Sequence, residues 1–136
     1  MKFTREQPEG IYTIHACRPE SVILNSPNPA DLRDEEARIE LTESFILSPG
    51  RLLPTWGANT LEQVTTANLA PISALQPEVL LLGTGEKMRF PDNTLLAALI
   101  ELRIGYEVMG NAAACRTYNI LAGEGRRVVA AIIIKG

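Results

Sequence analysis

The stretch that most constrains this fold is a run of four apolar residues, Val79 to Leu82, that leads directly into Gly83-Thr84-Gly85. An apolar run that ends in glycines is typical of a buried strand followed by a tight turn. A second, uniformly apolar run lies at Val128–Ile134. Strands of this kind are buried on both faces, which requires other elements above and below the sheet. The pattern therefore predicts an α/β fold organised around these two strands.

The first half of the chain carries the signals of a small antiparallel β meander. Short segments rich in β-branched and aromatic residues are separated by turn residues such as Ser48-Pro49-Gly50. Pro54 marks a strand end or an edge position. The predicted strands are Ile11–Cys17, Val22–Leu24, Ile39–Leu47 and a hairpin arm at Leu52–Trp56.

Helices and strands are predicted to alternate in the second half. Pro91 should open one helix, with Asp92 in its first turn, and Gly105 should stop it. Asn111 is a suitable N-cap for the next helix. The predicted elements, in order, are a helix at Thr66–Leu75, a strand at Val79–Leu82, a helix from Pro91, a strand at Tyr106–Met109, a helix at Ala112–Ala122 and a strand at Arg127–Ile134.

The bulk composition is that of a globular chain without a strong charge. Its 136 residues are expected to form one domain, residues 1–136, and 46% of them are hydrophobic, which is enough for a core. The net charge of −3 argues against a general binder of nucleic acid or of anionic membranes. The acidic excess between Asp31 and Glu43 is either a solvated loop or a charged patch for a partner protein.

Cysteine content and the length of apolar runs bear on localisation. The two cysteines, Cys17 and Cys115, provide no disulfide framework and are expected to be reduced thiols of a cytoplasmic protein. No apolar stretch follows Met1, so no signal peptide is expected. The longest apolar run has seven residues, whereas a spanning helix needs about 20. We therefore expect a soluble protein without membrane insertion.

Gly83-Thr84-Gly85 is the first candidate site. Glycines at a strand end let backbone N–H groups approach an anion, and ligands of open α/β sheets bind at such ends. The third glycine of a dinucleotide-binding loop is missing, as is the Gly-Lys-Ser/Thr of a nucleotide triphosphate loop. Two interpretations stay open: a purely structural turn, and a site for a ligand or a partner.

Three hydrogen-bonding side chains, Arg116, Tyr118 and Asn119, fall within about one helical turn. Arg116 and Asn119 are three residues apart and should share a helix face. Arg126-Arg127 are either a solvated strand end or part of a positive spot with Arg116, near the glycine turn, that holds an anion or a partner. In the alternative interpretation, Arg116 braces a loop by bonding carbonyls or a carboxylate such as Glu124.

Candidate nucleophiles and metal ligands are few. Cys115 is predicted in the first turns of a helix beside Arg116, which favours the thiolate, but its alanine-rich surroundings indicate a buried structural residue. The single histidine, His15, is distant in sequence and is expected to be a satisfied structural residue of its strand. No metal site or Ser-His-Asp triad has the required spacing. We therefore assign no catalytic residue, no metal and no cofactor.

Several segments of the second half, taken together, resemble one family. They are Leu80–Gly85, Ile104–Met109, Ala113–Leu121 and Glu124–Val128. The family consists of small uncharacterised bacterial and archaeal proteins, and also contains an adipogenesis-associated human protein and a mitochondrial complex I assembly factor. The resemblance is close after Val79 and loose before Trp56. It implies a three-layer α/β fold with a central mixed sheet, in which the last strand runs antiparallel to its neighbours.

The same resemblance implies no established enzymatic activity for the bacterial members, and the assembly factor acts through protein partners. The segment Asn25–Arg38 departs from the family because it is longer than the usual hairpin connection. Two functions follow from the sequence. One is a non-catalytic binding or assembly protein that docks a partner through the surface around Gly83–Gly85, Arg116 and Arg126. The other is an enzyme or small-anion binder that uses Cys115 or Arg116 beside the glycine turn.

Overall fold

The computed structural model describes residues 10–27 and 38–134, and the fold is reported for these residues. Eight strands and three α-helices lie within them, together with two short 3-10 turns at Leu61–Gln63 and Thr66–Leu69. The strands are β1 (Thr13–Cys17), β2 (Val22–Asn25), β3 (Arg38–Leu41), β4 (Phe45–Ser48), β5 (Arg51–Leu53), β6 (Val79–Gly83), β7 (Gly105–Met109) and β8 (Val128–Ile132). The helices are α1 (Ala70–Ala74), α2 (Asn93–Glu101) and α3 (Asn111–Gly123).

Two sheets form the frame, as the α/β prediction requires. Strands β1, β2 and β3 make a small antiparallel sheet, and a central mixed sheet has the order β5-β4-β8-β6-β7. Alternate residues of the central sheet face two separate cores: Leu81 packs with the small sheet and α3, and Leu80 packs with α1 and α2. The predicted three-layer arrangement with a central mixed sheet and an N-terminal meander is confirmed.

The last strand, β8, runs antiparallel to only one of its two neighbouring strands, whereas the family resemblance implies that it runs antiparallel to both. Strand β8 runs antiparallel to β4 but parallel to β6, with Val79 beside Val128 and Gly83 beside Ile132. The order β6-α2-β7-α3-β8 supplies helical crossovers, and such connections return strands in the same direction. The implied antiparallel arrangement is therefore correct for one neighbour and wrong for the other.

The predicted strand Ile39–Leu47 is two strands, β3 and β4, that belong to different sheets. The polar residues between them carry the chain from the small sheet to the central one. Ser44 secures this crossing, because its hydroxyl accepts a hydrogen bond from the Ile134 N–H at 2.8 Å. The predicted pairing of the hairpin arm is confirmed, because β5 pairs with β4, but the strand spans Arg51–Leu53 and ends before Pro54 instead of reaching Trp56.

Three helix boundaries differ from the sequence prediction. Asp92 is the N-cap of α2, its carboxylate accepting the Leu95 N–H at 2.9 Å, so Pro91 lies before the helix and not in its first position. The chain leaves α2 through Arg103, at a φ of +60°, and Gly105 already belongs to β7. Helix α3 is capped by Gly110, and Asn111 lies inside it.

The long acidic connection joins β2 to β3, whose ends pair at Asn25 and Arg38. Most of it, including Asp31 and the acidic residues that follow it up to residue 37, lies outside the described residues. Within the described ranges, the helices are all too short or too polar to cross a bilayer.

Candidate functional site

The glycine turn lies at the carboxyl end of β6 and is held by Asn111, the first residue of α3. Asn111 donates its backbone N–H to the Gly85 carbonyl at 2.7 Å, and its side-chain oxygen accepts the Gly85 N–H at 3.0 Å. Its amide group also donates to the Ile133 carbonyl at 2.9 Å. Because Asn111 is only 6% exposed, this side chain is a buried bridge between the ends of β6 and β8.

Gly83 is required for this close approach. A Cβ built on Gly83 would lie 2.5 Å from the Asn111 side-chain oxygen and 2.8 Å from the Ile132 Cδ1. The second glycine has a conformational role, since Gly85 has a φ of +111° and that region disfavours other residues. The two glycines therefore have different roles: Gly83 leaves space for α3 to pack closely, and Gly85 allows a backbone conformation that other residues disfavour.

Thr84, which is buried, organises the loop that follows. Its N–H donates to the Met109 carbonyl at 3.0 Å, its hydroxyl donates to the Lys87 carbonyl at 2.9 Å, and the same oxygen accepts the Arg89 N–H at 3.0 Å. The N–H groups of Thr84 and Gly85 are thus both engaged within the protein. They are not available to cradle an anion, which favours the structural interpretation of the turn.

A cavity of about 400 Å³ nevertheless lies beside the turn, with Thr84 and Gly85 in its wall. Its charged lining comes from residues that the sequence did not single out, namely Glu20, Glu62, Glu86, Lys87 and Arg89. Arg89 forms an ion pair with Glu62 across the cavity wall. No sequence motif predicts this pairing, because the two residues meet only through the folding of the loops around β6.

Arg116 does not join this cavity. It is exposed on α3, is absent from the cavity wall, and makes no hydrogen bond or salt bridge with any described residue. The interpretation that Arg116 braces a loop through Glu124 is wrong. The prediction that Arg116 acts at the glycine turn has no supporting contact in the described part of the chain.

Tyr118 and Asn119 attach α3 to the edge of the small sheet. The buried Tyr118 hydroxyl donates to the Tyr12 carbonyl at 2.9 Å. Asn119 accepts the Ile14 N–H and donates to the Ile14 carbonyl, both at 2.8 Å, like one residue of an additional strand. Burial raises the pKa of the Tyr118 phenol far above its usual value, and the neighbouring Tyr12 raises it further. The contacts of both residues are structural.

Arg126 lies at the opposite end of the sheet from the glycine turn. The parallel register pairs Val79 with Val128, so Arg126 precedes the strand end that is farthest from Gly83. It lines a separate cavity of about 350 Å³. Its neighbour Arg127 donates its backbone N–H to Glu78, which lowers the pKa of that carboxyl. The expected positive spot near the glycine turn is therefore wrong for Arg126 and Arg127, which lie at the other end of the sheet.

The two cysteines are neighbours. Cys115 is 4% exposed and Cys17, which is half-buried, packs against the same core. Burial, with the adjacent Cys17 thiol, raises the pKa of Cys115 well above that of an ordinary thiol. This agrees with the interpretation of Cys115 as a structural residue. His15, expected to be satisfied in its strand, is exposed on β1.

Sequence reasoning also missed an apolar surface that follows the turn. Met88 is 50% and Phe90 66% exposed, and Ile100 and Leu102 at the end of α2 are 66% and 45% exposed. Met88 and Phe90 are visible in the sequence as apolar residues outside the strand and helix patterns, whereas Ile100 and Leu102 lie within the helix predicted from Pro91. Their exposure could not be read from that pattern alone. No group of residues that could hold a metal ion occurs in residues 10–27 and 38–134.

Comparisons with known proteins place this geometry in a family context. A family model described as "Protein of unknown function (DUF498/DUF598)" matches residues 14–133. A solution structure of a Xanthomonas campestris protein is 40% identical with a TM-score of 0.76, and the match covers 100% of this chain and 94% of that one.

Two curated relatives are similar over part of the chain. One is a 13 kDa major membrane protein of Francisella tularensis, 33% identical over 73 residues, which covers 54% of this chain and 59% of the relative. The other is human NADH dehydrogenase (ubiquinone) 1 alpha subcomplex assembly factor 3, 31% identical over 94 residues, which covers 65% of this chain and 51% of the relative. The matches therefore span only slightly more than half the length of these relatives.

Proposed function

Because the chain belongs to the DUF498/DUF598 family of proteins of unknown function, we propose that it is a non-catalytic protein that binds a protein partner, in the manner of an assembly factor. The observation that carries this proposal is its similarity to the human assembly factor, at 31% identity over 94 residues. An assembly factor acts by contacting other proteins, and that requires a docking surface and no reacting group.

The geometry at the glycine turn supports a non-catalytic role. The N–H groups of Thr84 and Gly85 are occupied by Met109 and Asn111, so they do not form an anion cradle. The buried Cys115 has a raised pKa and therefore little thiolate. The groups that could have carried chemistry are thus either hydrogen-bonded within the protein or buried in its core.

The exposed residues after the turn support a docking role. Met88 and Phe90 present large apolar side chains to solvent directly beside the cavity wall formed by Lys87 and Arg89. Apolar groups rimmed by charged ones are common at protein interfaces. We therefore place the proposed partner surface at Glu86–Phe90, next to the glycine turn.

The test is affinity capture with the tagged protein, followed by quantification of co-purifying proteins. Phe90→Ser should reduce recovery of the partner at least about fivefold, because large apolar side chains contribute strongly to interfaces. Ile120→Ser is the matched control, since Ile120 is 61% exposed on α3. Equal recovery with wild type and Phe90→Ser would contradict the proposed surface, and failure to capture any stoichiometric partner would contradict the function.

The cavity beside Gly85 offers one alternative, the binding of a small anion by Lys87. This binding would have to outweigh Glu20 and Glu86 in the same wall, because Arg89 is already paired with Glu62. Inorganic phosphate is a suitable probe. If this alternative holds, phosphate raises the unfolding temperature of the wild type and not that of Lys87→Ala. Equal shifts in the two proteins, or no shift in either, would exclude it.

A further inference from the structure

Within the described residues, strand β7 is an edge of the central sheet, because it pairs there only with β6. The Thr84 N–H donates to the Met109 carbonyl, so Met109 directs its backbone groups toward β6. This bond determines which residues of β7 direct their backbone groups toward β6 and which direct them outward. In a parallel ladder every second residue turns its backbone groups to the same neighbour. Met109, Glu107 and Gly105 therefore face β6, and Tyr106 and Val108 direct their N–H and carbonyl groups away from the sheet.

These outward groups have no hydrogen-bond partner in the described part of the chain. Two of the other edges are closed. Asn119 satisfies Ile14 on the edge of β1, and β5 is only three residues long and is followed by Pro54. Short edges and prolines are ordinary protections against added strands. Strand β7, at five residues, has no such protection.

Charge and apolar surface indicate what would cover this edge. Glu107, at the middle of β7, is exposed and has no salt-bridge partner among the described residues. Residues with exposed apolar side chains lie in the chain at both ends. Leu102 comes before the strand, and the backbone of Met88 passes its far end, where the Met88 N atom would lie 3.7 Å from a Cβ built on Gly110. An added segment would thus meet an acidic centre between two apolar ends.

We propose that β7 receives an extended segment of the partner protein as an additional strand, with a Lys or Arg of that segment beside Glu107 and apolar residues toward Met88 and Leu102. Backbone hydrogen bonds to Tyr106 and Val108 would supply affinity, and the charge pair would set the register. This inference rests on the proposed function, and it names the binding mode and the chemistry of the partner segment.

A second copy of this chain fits the edge poorly. Two β7 strands that pair antiparallel about their centres bring Glu107 of each copy opposite the other. Like charges directly opposite each other destabilise a strand pair. The acidic residue thus disfavours self-pairing and favours a basic segment.

The experiment places a photoreactive benzophenone amino acid at position 102, in the tagged full chain, because Leu102 is exposed directly before β7 and its replacement keeps Glu107. Position 120, which is also an exposed apolar position, is the matched control. Irradiation in cells should join position 102, but not 120, to the partner. The cross-linked peptide should contain Lys or Arg within about six residues of the attachment point. Glu107→Lys should lower capture of that partner about fivefold, the upper range for an opposite-charge cross-strand pair, and Glu107→Gln should lower it less.

Val108→Pro tests the backbone contribution. The Val108 N–H points away from β6, so proline removes an outward donor and leaves the ladder to β6 intact. Its thermal unfolding should stay cooperative, and the cross-link from position 102 should disappear. A partner captured without any cross-link from position 102, or one unaffected by Glu107→Lys and Val108→Pro, overturns this inference and leaves the proposed function standing. A cross-link to a second copy of the chain also overturns it, and capture of no partner at all defeats both.

Discussion

Asn111 and Gly85 are joined by two reciprocal hydrogen bonds: the Asn111 N–H donates to the Gly85 carbonyl at 2.7 Å, and the Gly85 N–H donates to the Asn111 side-chain oxygen at 3.0 Å. With the third bond, from the Asn111 amide to the Ile133 carbonyl, this residue ties β6, β8 and the start of α3 together. The strand end that resembles a ligand-binding loop in sequence is therefore held in place by hydrogen bonds within the protein.

Asn111→Ala should lower the free energy of unfolding by about 2–4 kcal/mol, because it leaves the Gly85 N–H and the Ile133 carbonyl without their partner in a buried place. Urea denaturation measures the change. The control is Asn93→Ala, which removes an exposed asparagine at the first position of α2 and should change stability by less than about 0.5 kcal/mol. Similar losses in both variants would show that the bridge contributes nothing specific.

Gly83→Ala should also destabilise the protein, by about 1–3 kcal/mol. The new methyl would lie 2.5 Å from the Asn111 oxygen, which is fixed by its own hydrogen bonds and cannot move without breaking them. Gly123→Ala is the matched control, because nothing lies within 4 Å of a Cβ built there and alanine favours the helix. A Gly83→Ala protein as stable as the wild type would contradict the close packing of α3 on β6.

Much of the fold follows from local patterns. The apolar runs of β6 and β8 are visible in the sequence because strands buried on both faces need them. The role of Asn111 was not predictable in the same way, because asparagine after a glycine fits a helix cap as well as a buried bridge. The choice between a helix cap and a buried bridge depends on the contact of Asn111 with the end of β8, which is distant in sequence.

The prediction that Arg126 lies near the glycine turn is wrong for a topological reason. If β8 ran antiparallel to β6, Arg126 would lie near the end of β6 and beside the glycine turn. Because β8 runs parallel to β6, Arg126 lies at the other end of the sheet. The position of Arg126 cannot be predicted from the residue and its sequence neighbours, because it depends on whether two strands distant in sequence pair parallel or antiparallel. The adjacency of Gly83 and Asn111, by contrast, follows directly from consecutive β-α units.

Arg116→Ala should leave the free energy of unfolding within about 0.5 kcal/mol of the wild type, because Arg116 is exposed and makes no hydrogen bond or salt bridge with the described residues. Thermal unfolding and partner capture should be measured on the same variant. Unchanged stability with lost capture would extend the proposed partner surface onto α3. A variant unchanged in both properties would remove Arg116 from the site, and a large loss of stability would contradict its exposure.

Cys115 should react slowly with iodoacetamide in the native protein, since burial raises its pKa and the thiolate is the reactive form. Labelling of the Cys17→Ser variant at pH 7.5 isolates Cys115, and its rate should rise at least about tenfold when the protein is unfolded, where an ordinary thiol titrates near about 8.5. Cys115→Ser reports the half-buried Cys17 separately. Native labelling of Cys115 faster than free cysteine would show an activated thiol and reopen the enzymatic hypothesis.

Tyr118 should make the protein less stable at alkaline pH. Its pKa is raised in the folded state, and below about pH 10 both states keep the phenol protonated, so it adds no pH dependence there. Above that value the unfolded state loses a proton that the folded state retains, and the free energy of unfolding falls by up to about 1.4 kcal/mol per pH unit.

Tyr118→Phe tests this directly. At pH 7 it should cost about 1–2 kcal/mol, because the buried Tyr12 carbonyl loses the hydroxyl that bonds it at 2.9 Å. Between pH 10 and 11, however, the stability of the variant should fall less steeply than that of the wild type. Urea denaturation at pH 7, 9, 10 and 11 gives both quantities, and the contribution of Cys115 is common to the two proteins and cancels in their difference. Identical slopes above pH 10 would mean that the Tyr118 phenol ionises as readily in the folded protein as in the unfolded chain, and that its bond to Tyr12 does not keep it protonated.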